Sequence, residues 1–472
     1  MFGFSARSVS NILFWVTRKK WLILSFLLSI SFFYVPSPEG LSPEGHRTLI
    51  IVLVALILII SESIPLPGVA ILILIMEVIL GVDTADGVAS SFMSDAVFFI
   101  MGSLMLAVSL VHQGLDKRLA LLVINITGNK TWRIVLGFVA ISALLSSFIG
   151  EHTVGAMMLP VALALIRNAG LSTTKATKLS TLLLFSIAYG CAIGSIGTPS
   201  GGGRNVIMIG YLSEFGMAQI SYLDWMKYAY PMLIIEIPIV ALILWYTFTP
   251  EQKVMDSSVR KLKVKVAKTG KLTANQIMAI VIFLFVFIGW VFLSPIIGLG
   301  IVALSGVFLY LSFGLVEWQE INRNTNWGVI LLFGSAISIG IQMKETGAAL
   351  WTAEQILYSL NIIFQDVEVV RWFVSVVVTG LLTNLLSNAA TVAVLGPVIL
   401  DMGGDPIIMG IMTSISSAFA YLTVVASPTC MIIHSTGLIT SSDYFKAGWK
   451  LFVISIIILF MISTLYLSLI HI

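Results

Sequence analysis

Charge, cysteine and histidine are all scarce in this sequence. Of 472 residues, 10% are Asp, Glu, Lys or Arg, against about 25% in a soluble globular domain. That scarcity excludes a soluble enzyme and a disordered, charge-rich scaffold. The 2 cysteines, Cys191 and Cys430, sit far apart in apolar runs. They exclude a disulfide framework and read as small apolar fillers. No Ser-His-Asp elbow, HExxH, CxxC or Walker motif is present, and His152 beside Glu151 lacks the further ligands of a zinc site. The longest polar stretch is 249–272, too short for a soluble catalytic or receptor domain, so an enzyme is not expected. The pI near 8.7 comes from basic loops and does not point to nucleic acid. What remains is apolar: 58% of residues, with mean hydropathy +1.03. This is the composition of an all-α integral membrane protein.

A helix needs about 20 apolar residues to cross a bilayer core of ~30 Å. Spans therefore fall near 21–35, 47–64, 67–81, 94–112, 179–212, 228–248, 273–294, 298–316, 327–343, 406–439 and 446–468. Two more apolar stretches, 132–168 and 370–400, are interrupted by GEHT (150–153) and TNLLSN (383–388). They read as re-entrant hairpins, leaving about eleven transmembrane helices. With the N-terminus in the cytoplasm, 21 of the 26 basic residues face inward and Arg47, Lys227, Lys344 and Arg371 face outward; Arg204 lies within a span. This asymmetry orients the chain. Arg18, Lys19 and Lys20 precede an apolar run with no small-residue cleavage site after Val35, so the segment reads as an anchor. The NIT and NKT triplets at 125–131 fall on the cytoplasmic side and are not glycosylation sites.

The basic linker 249–272 separates two halves that echo each other. FIMGSLMLAVSLVHQG (99–114) resembles LLFGSAISIGIQMKETG (331–347), GEHTVGAMMLP (150–160) matches SNAATVAVLGP (387–397) in its spacing to proline, and TPSGGG (198–203) stands opposite SPTCMI (427–432). Five crossings separate the two starts, so the second copy is inverted, a pattern of secondary transporters. The chain thus divides into scaffold helices (1–93), a first repeat (94–227), further scaffold helices with the linker (228–326) and a second repeat (327–472).

Each broken helix exposes amide hydrogens at one new end and carbonyls at the other. The amide end attracts anions, and carbonyls with hydroxyl or amide oxygens attract cations. Thr153, Thr198, Asn205, Asn388, Thr391 and Thr429 line the breaks. Glu151 and His152 occupy the first hairpin tip, where an ionisable group inside the membrane marks a functional site. Arg204 has two readings, contact with an anionic substrate or neutralisation of Glu151. His434 reads as packed, and Glu62, Glu77 and Glu236 as structural or rim groups.

These residues resemble the divalent anion/sodium symporters, carriers of dicarboxylates, citrate and sulfate. In that family each hairpin tip carries Ser-Asn-Thr ten residues before a proline, and the next helix breaks at a Thr-Pro. Here the second tip reads Ser387-Asn388-Ala389 with Pro397 following, and the first departs as Gly150-Glu151-His152 before Pro160. The breaks are Thr198-Pro199 and Ser427-Pro428, the first continuing SGGGRN with an added arginine. The resemblance implies one sodium among Ser146, Gly150, Glu151 and Gly197, and a second among Thr383, Ser387, Asn388 and Ala426. It implies substrate contacts from His152, Asn388, Ala389 and Pro428, to which Thr153, Arg204, Thr391 and Thr429 are added from their place in the breaks. It further implies a homodimeric, elevator-type carrier in the plasma (inner) membrane with no organic cofactor. The expected function is sodium-coupled symport of a small divalent anion. Proton coupling through Glu151, anion exchange and Na+/H+ antiport are the alternatives.

Overall fold

The computed structural model describes residues 19–115, 118, 126–169, 176–256, 259–260, 271–424 and 426–467. The four linker lysines Lys261, Lys263, Lys265 and Lys268 and the first 18 residues lie outside this set. Among the described residues there is no strand, only an isolated bridge between Lys130 and Val254.

Among the described residues seven helices are long and apolar enough to cross a membrane: Pro43–Ser61, Asp95–His112, Thr131–Ile149, Tyr222–Thr247, Ala274–Phe292, Trp327–Glu345 and Ser441–Leu467. Six of these answer to expected spans. The seventh, Thr131–Ile149, is the first arm of the expected hairpin 132–168, and by length alone it is able to span. The remaining expected spans are shorter or interrupted. Lys20–Phe33, Leu66–Ile79 and Leu299–Ser312 each have 14 residues. The stretches 179–212 and 406–439 are each split into two helices, Lys178–Gly194 with Gly203–Glu214 and Pro406–Ser416 with Pro428–His434.

Two expectations need correction. The span placed at 47–64 begins at Pro43, because Ser42 caps it by accepting from the Gly45 amide. The stretch 344–369, expected as an outside loop, contains the helix Ala348–Phe364. Its apolar run is interrupted by Glu354, Gln355 and Asn361, so a window tuned to spanning helices passes over it.

Both hairpins turn where the sequence breaks. Thr131–Ile149 ends at Gly150, whose φ of +83° favours glycine, and Glu151–Asn168 starts at the next residue. In the second hairpin the incoming arm runs through Val367–Trp372, a π-helical turn Phe373–Val378 and Thr379–Leu382. The return helix Asn388–Asp401 is capped by Ser387, whose side chain accepts from the Ala390 amide. Pro199 and Pro428 stand at the first position of the turns that follow each break, where a missing N–H costs least.

Glycine permits the close packing of hairpin on broken helix. A Cβ on Gly194 would stand 2.2 Å from the Ala143 carbonyl oxygen, and one on Gly190 would stand 2.8 Å from that of Val139. Tyr189 bridges the copies by donating its hydroxyl proton to the Tyr421 carbonyl at 2.9 Å. Gly194→Val should therefore overpack this seam, at a cost of about 1–3 kcal/mol. The expected readout is a lower melting temperature and less monodisperse protein in detergent; wild-type melting would contradict this packing.

Candidate functional site

The two hairpin tips, 237 residues apart, meet inside the protein. Asn388 Nδ2 donates to Glu151 Oε1 at 3.2 Å. Thr429, from the second break, donates to the Glu151 backbone carbonyl at 2.9 Å. Glu151 and Asn388 are both buried, and each stands at the first position of its helix, where partial positive charge from the free amides gathers. The approach depends on Gly155, because a Cβ there would lie 2.5 Å from Thr429 Cγ2.

Each hairpin is also fixed to the broken helix of its own repeat, by matching bonds. Ser146, four residues before Gly150, donates to the Cys191 carbonyl at 2.6 Å. Thr383, four residues before Ser387, donates to the Ser417 carbonyl at 2.7 Å and to Asn388 Oδ1 at 3.0 Å. Thr198 bonds the Ser147 carbonyl, and Thr423 bonds the Asn384 carbonyl at 2.7 Å. The Ser147, Ser417 and Asn384 carbonyls thus gain a hydroxyl partner near the turns, as an interior without water demands, while the Cys191 carbonyl takes both the Ser146 hydroxyl and the Ser195 amide.

The first break holds the one basic side chain expected inside a span. Arg204 is 2% exposed. Its Nη2 donates to Ser195 Oγ at 2.6 Å, while its Nε has no partner. Glu151 Oε2 is likewise without a partner. The two side chains form no direct ion pair: among the described residues the ion pairs are Asp224–Lys227, Glu368–Arg371 and Asp443–Lys446. Asn205 crosses between repeats, donating to the Ser195 and Thr198 carbonyls at 2.9 and 2.8 Å and accepting from Ser414 at 2.9 Å.

Tips and first break enclose a cavity of about 160 Å³. Its floor is Gly150, Glu151, His152, Ser387, Asn388, Ala389 and Pro428, with Pro199 to Arg204 along one side. Leu66, Phe99, Ser103, Leu332 and Phe333, from the helices Leu66–Ile79, Asp95–His112 and Trp327–Glu345, complete the lining. The Phe333 ring presses on the break, since a Cβ on Gly203 would stand 2.0 Å from Cζ of Phe333. The volume is well below the ~300–1,000 Å³ of pockets for drug-sized ligands. It suits a small solute, and its polar groups are one acid, one guanidinium, an imidazole, an amide, the hydroxyls of Ser103, Ser200 and Ser387 and the amides opening the helix Gly203–Glu214.

The sequence-derived residues divide accordingly. His152, Arg204, Asn388, Ala389 and Pro428 line the cavity, as do Gly150, Glu151 and Ser387. Thr153, Thr391 and Thr429 do not. Thr391 donates to the carbonyl of Ser387 in its own helix at 3.1 Å, and Thr429 is engaged by Glu151. Ser146, Gly197, Thr383 and Ala426 are buried behind the lining. The apolar wall and Asn384 escaped the sequence reading. Asn384 bonds the Gly380 and Phe419 carbonyls and the Leu422 amide. Its place in TNLLSN was a usable signal, whereas nothing local distinguishes Phe99 or Phe333 from other core residues. Glu77 and Glu236 take bonds from Ser338 and Ser455 away from the cavity.

Paired hairpins and broken helices around a buried, charged cavity define a multi-pass membrane transporter. The family described as the sodium:sulfate symporter transmembrane region matches residues 17–472, so the chain belongs to that family, the divalent anion/sodium symporters. Among curated proteins, a sodium-dependent dicarboxylate transporter of Staphylococcus saprophyticus is 26% identical over 471 residues, covering 93% of this chain and 90% of that protein. The corresponding Staphylococcus aureus transporter is 27% identical over 469 residues, covering 93% and 88%. An uncharacterized transporter of Haemophilus influenzae is 26% identical over 457 residues, covering 92% and 95%. Among solved structures, the Neisseria gonorrhoeae MtrF efflux pump superposes with a TM-score of 0.54 at 12% identity, covering 95% of this chain and 94% of that one. The Alcanivorax borkumensis YdaH transporter gives 0.53 at 12% identity, covering 80% and 88%. At such identity these two speak for the fold alone.

Contact between the tips predicts energetic coupling. In a double-mutant cycle, Asn388→Ala with Glu151→Ala should deviate from additivity by about 0.5–3 kcal/mol, read as melting in detergent. Strictly additive losses would mean that the tips do not touch.

Proposed function

We propose that this protein is a secondary active transporter that couples uptake of a small divalent anion to sodium. The anion is a di- or tricarboxylate such as succinate or citrate, or sulfate. The observation that carries this reading is the convergence on one small cavity of Asn388, Glu151 and a buried Arg204 whose Nε is unpartnered. A buried charge without a partner is costly, and an anion arriving between the tips supplies one. Arg204, His152 and Asn388 donate to it, beside Ala389 and Pro428. Charge-assisted bonds from a guanidinium are about twice as strong as neutral ones, which offsets the loss of the family's tip threonines. Sodium is assigned to the hydroxyl and carbonyl corner of Thr383, Ser387, Asn388 and Ala426, the ligand type that hard cations take. The named relatives are sodium-dependent dicarboxylate transporters, which supports the same coupling ion here.

In this reading the carrier is a homodimer in the plasma membrane with its N-terminus in the cytoplasm. The hairpins and broken helices move together past the scaffold. The unpartnered Glu151 Oε2 favours one alternative, proton coupling through that carboxyl. Uptake of labelled succinate, citrate or sulfate into proteoliposomes separates the two. A sodium gradient should drive accumulation, and Asn388→Ala should abolish it while the protein stays folded. Uptake that ignores sodium yet collapses in Glu151→Gln would establish the proton reading instead. Arg204→Ala should weaken dianions relative to monoanions by about tenfold, or 1.4 kcal/mol; an equal loss for both would remove Arg204 from the substrate.

A further inference from the structure

The two repeats match in backbone bonds and differ in charge. Ser146 and Thr383 are equivalent, each donating from the incoming arm to a broken-helix carbonyl. The second side's own oxygens near the tip are neutral, Thr383 Oγ1, Asn388 Oδ1 and the Ser417 carbonyl, while Glu151 Oε1 reaches Asn388 Nδ2 from the first. On the first side the position of Asn388 is taken by Glu151. There the carbonyl oxygens of Ser147, Ser195 and Ser146 stand 2.8, 2.9 and 3.1 Å from the point where a Cβ on Gly201 would lie. Two of these carbonyls are already engaged, Ser147 by Thr198 and Ser195 by Asn205, so the cluster keeps its negative potential without an open socket. A cation is already next to the cluster. The corresponding point at Gly202 is 3.1 Å from Arg204 Nη1, 3.3 Å from Cζ and 3.2 Å from the Ser195 carbonyl, and Nη2 is held by Ser195 Oγ.

A guanidinium beside this carbonyl cluster supplies the positive charge that a bound sodium would supply. A second cation brought alongside meets like-charge repulsion in a low-dielectric interior. Arg204 also cannot leave, because it sits in the first turn of the helix Gly203–Glu214 and its side chain is buried.

Resting on the sodium-coupled reading, we infer that Arg204 is a tethered substitute for one coupling cation, so that sodium binds only at the Thr383 side. The first repeat carries its positive charge covalently, balanced by Glu151 across the cavity, and the carrier takes fewer sodium ions per turn than two open corners would allow.

The matched hydroxyls provide the test in the full-length protein. Equilibrium binding of radioactive sodium, with succinate present, should saturate at one ion per chain with a Hill coefficient of about 1. Thr383→Ala should raise the sodium midpoint about tenfold more than Ser146→Ala does, and Thr383→Ser should recover most of that shift. Each alanine removes a hydroxyl bond to a broken-helix carbonyl, and Thr383→Ala also loses the contact with Asn388 Oδ1, so melting without sodium is measured alongside: a purely structural role would move the sodium midpoint in step with the loss of melting temperature. Arg204→Gln should weaken succinate binding about tenfold even at saturating sodium. Two ions per chain, matched shifts for the two alanines, or unchanged succinate affinity in Arg204→Gln would each overturn the inference while leaving sodium coupling standing. No sodium binding to the wild type would overturn both.

Discussion

In a low-dielectric interior a turn of bare backbone is stable only when other groups meet its amides and carbonyls. The bond from Asn388 to Glu151 is where that requirement joins the two halves of this protein. Each hairpin reverses inside the protein and leaves its peptide groups open. Each break in the neighbouring helix does the same. The turns solve the problem together, with Ser146, Thr383, Thr198 and Thr423 spending their hydroxyls on carbonyls. Other buried polar atoms without partners, such as Glu77 Oε1 and Glu236 Oε2, lie away from the tips, and two belong to the first tip and first break themselves. Glu151 Oε2 and Arg204 Nε remain without partners, and both residues line the same cavity.

Symmetry explains the architecture, and departure from symmetry explains the chemistry. Matching bonds at Ser146 and Thr383 hold two equivalent corners. The charged departures from the family's tip and break motifs fall in the first copy, as Glu151 and the arginine of SGGGRN, whereas those of the second, Ala389 and Ser427, are neutral. A charge of each sign has been built into one half while the other keeps neutral oxygens. A carrier of this family has thereby acquired a site whose electrostatics depend on its own side chains as well as on bound ions.

Much of this was legible in the sequence because breaks inside apolar runs are conspicuous. Gly150, Ser387, Pro199 and Pro428 sit at the turns in the structure, since glycine, capping serine and proline act locally. The repeat was legible for the same reason, as equal spacing to Pro160 and Pro397. Legibility failed where packing decides. Thr391 looked like a ligand and instead bonds its own helix, a choice made by side-chain rotation. The cavity wall of Phe99, Leu332 and Phe333 comes from helices legible as repeat copies, in which no local feature marks these apolar side chains as facing a cavity. The helix Ala348–Phe364 was hidden because its polar residues break the apolar run. The relation of Arg204 to Glu151 is a matter of distance, which no linear pattern encodes.

The central claim is that tips and breaks form one cradle that closes on a dianion. Ala389 lines that cradle, and the native Cys191 and Cys430 are fully buried. The most direct measurement is the rate at which a cysteine placed by Ala389→Cys reacts with a soluble maleimide in liposomes. Succinate together with sodium should slow that reaction several-fold, more than either alone. A rate indifferent to every divalent anion tested would contradict the account.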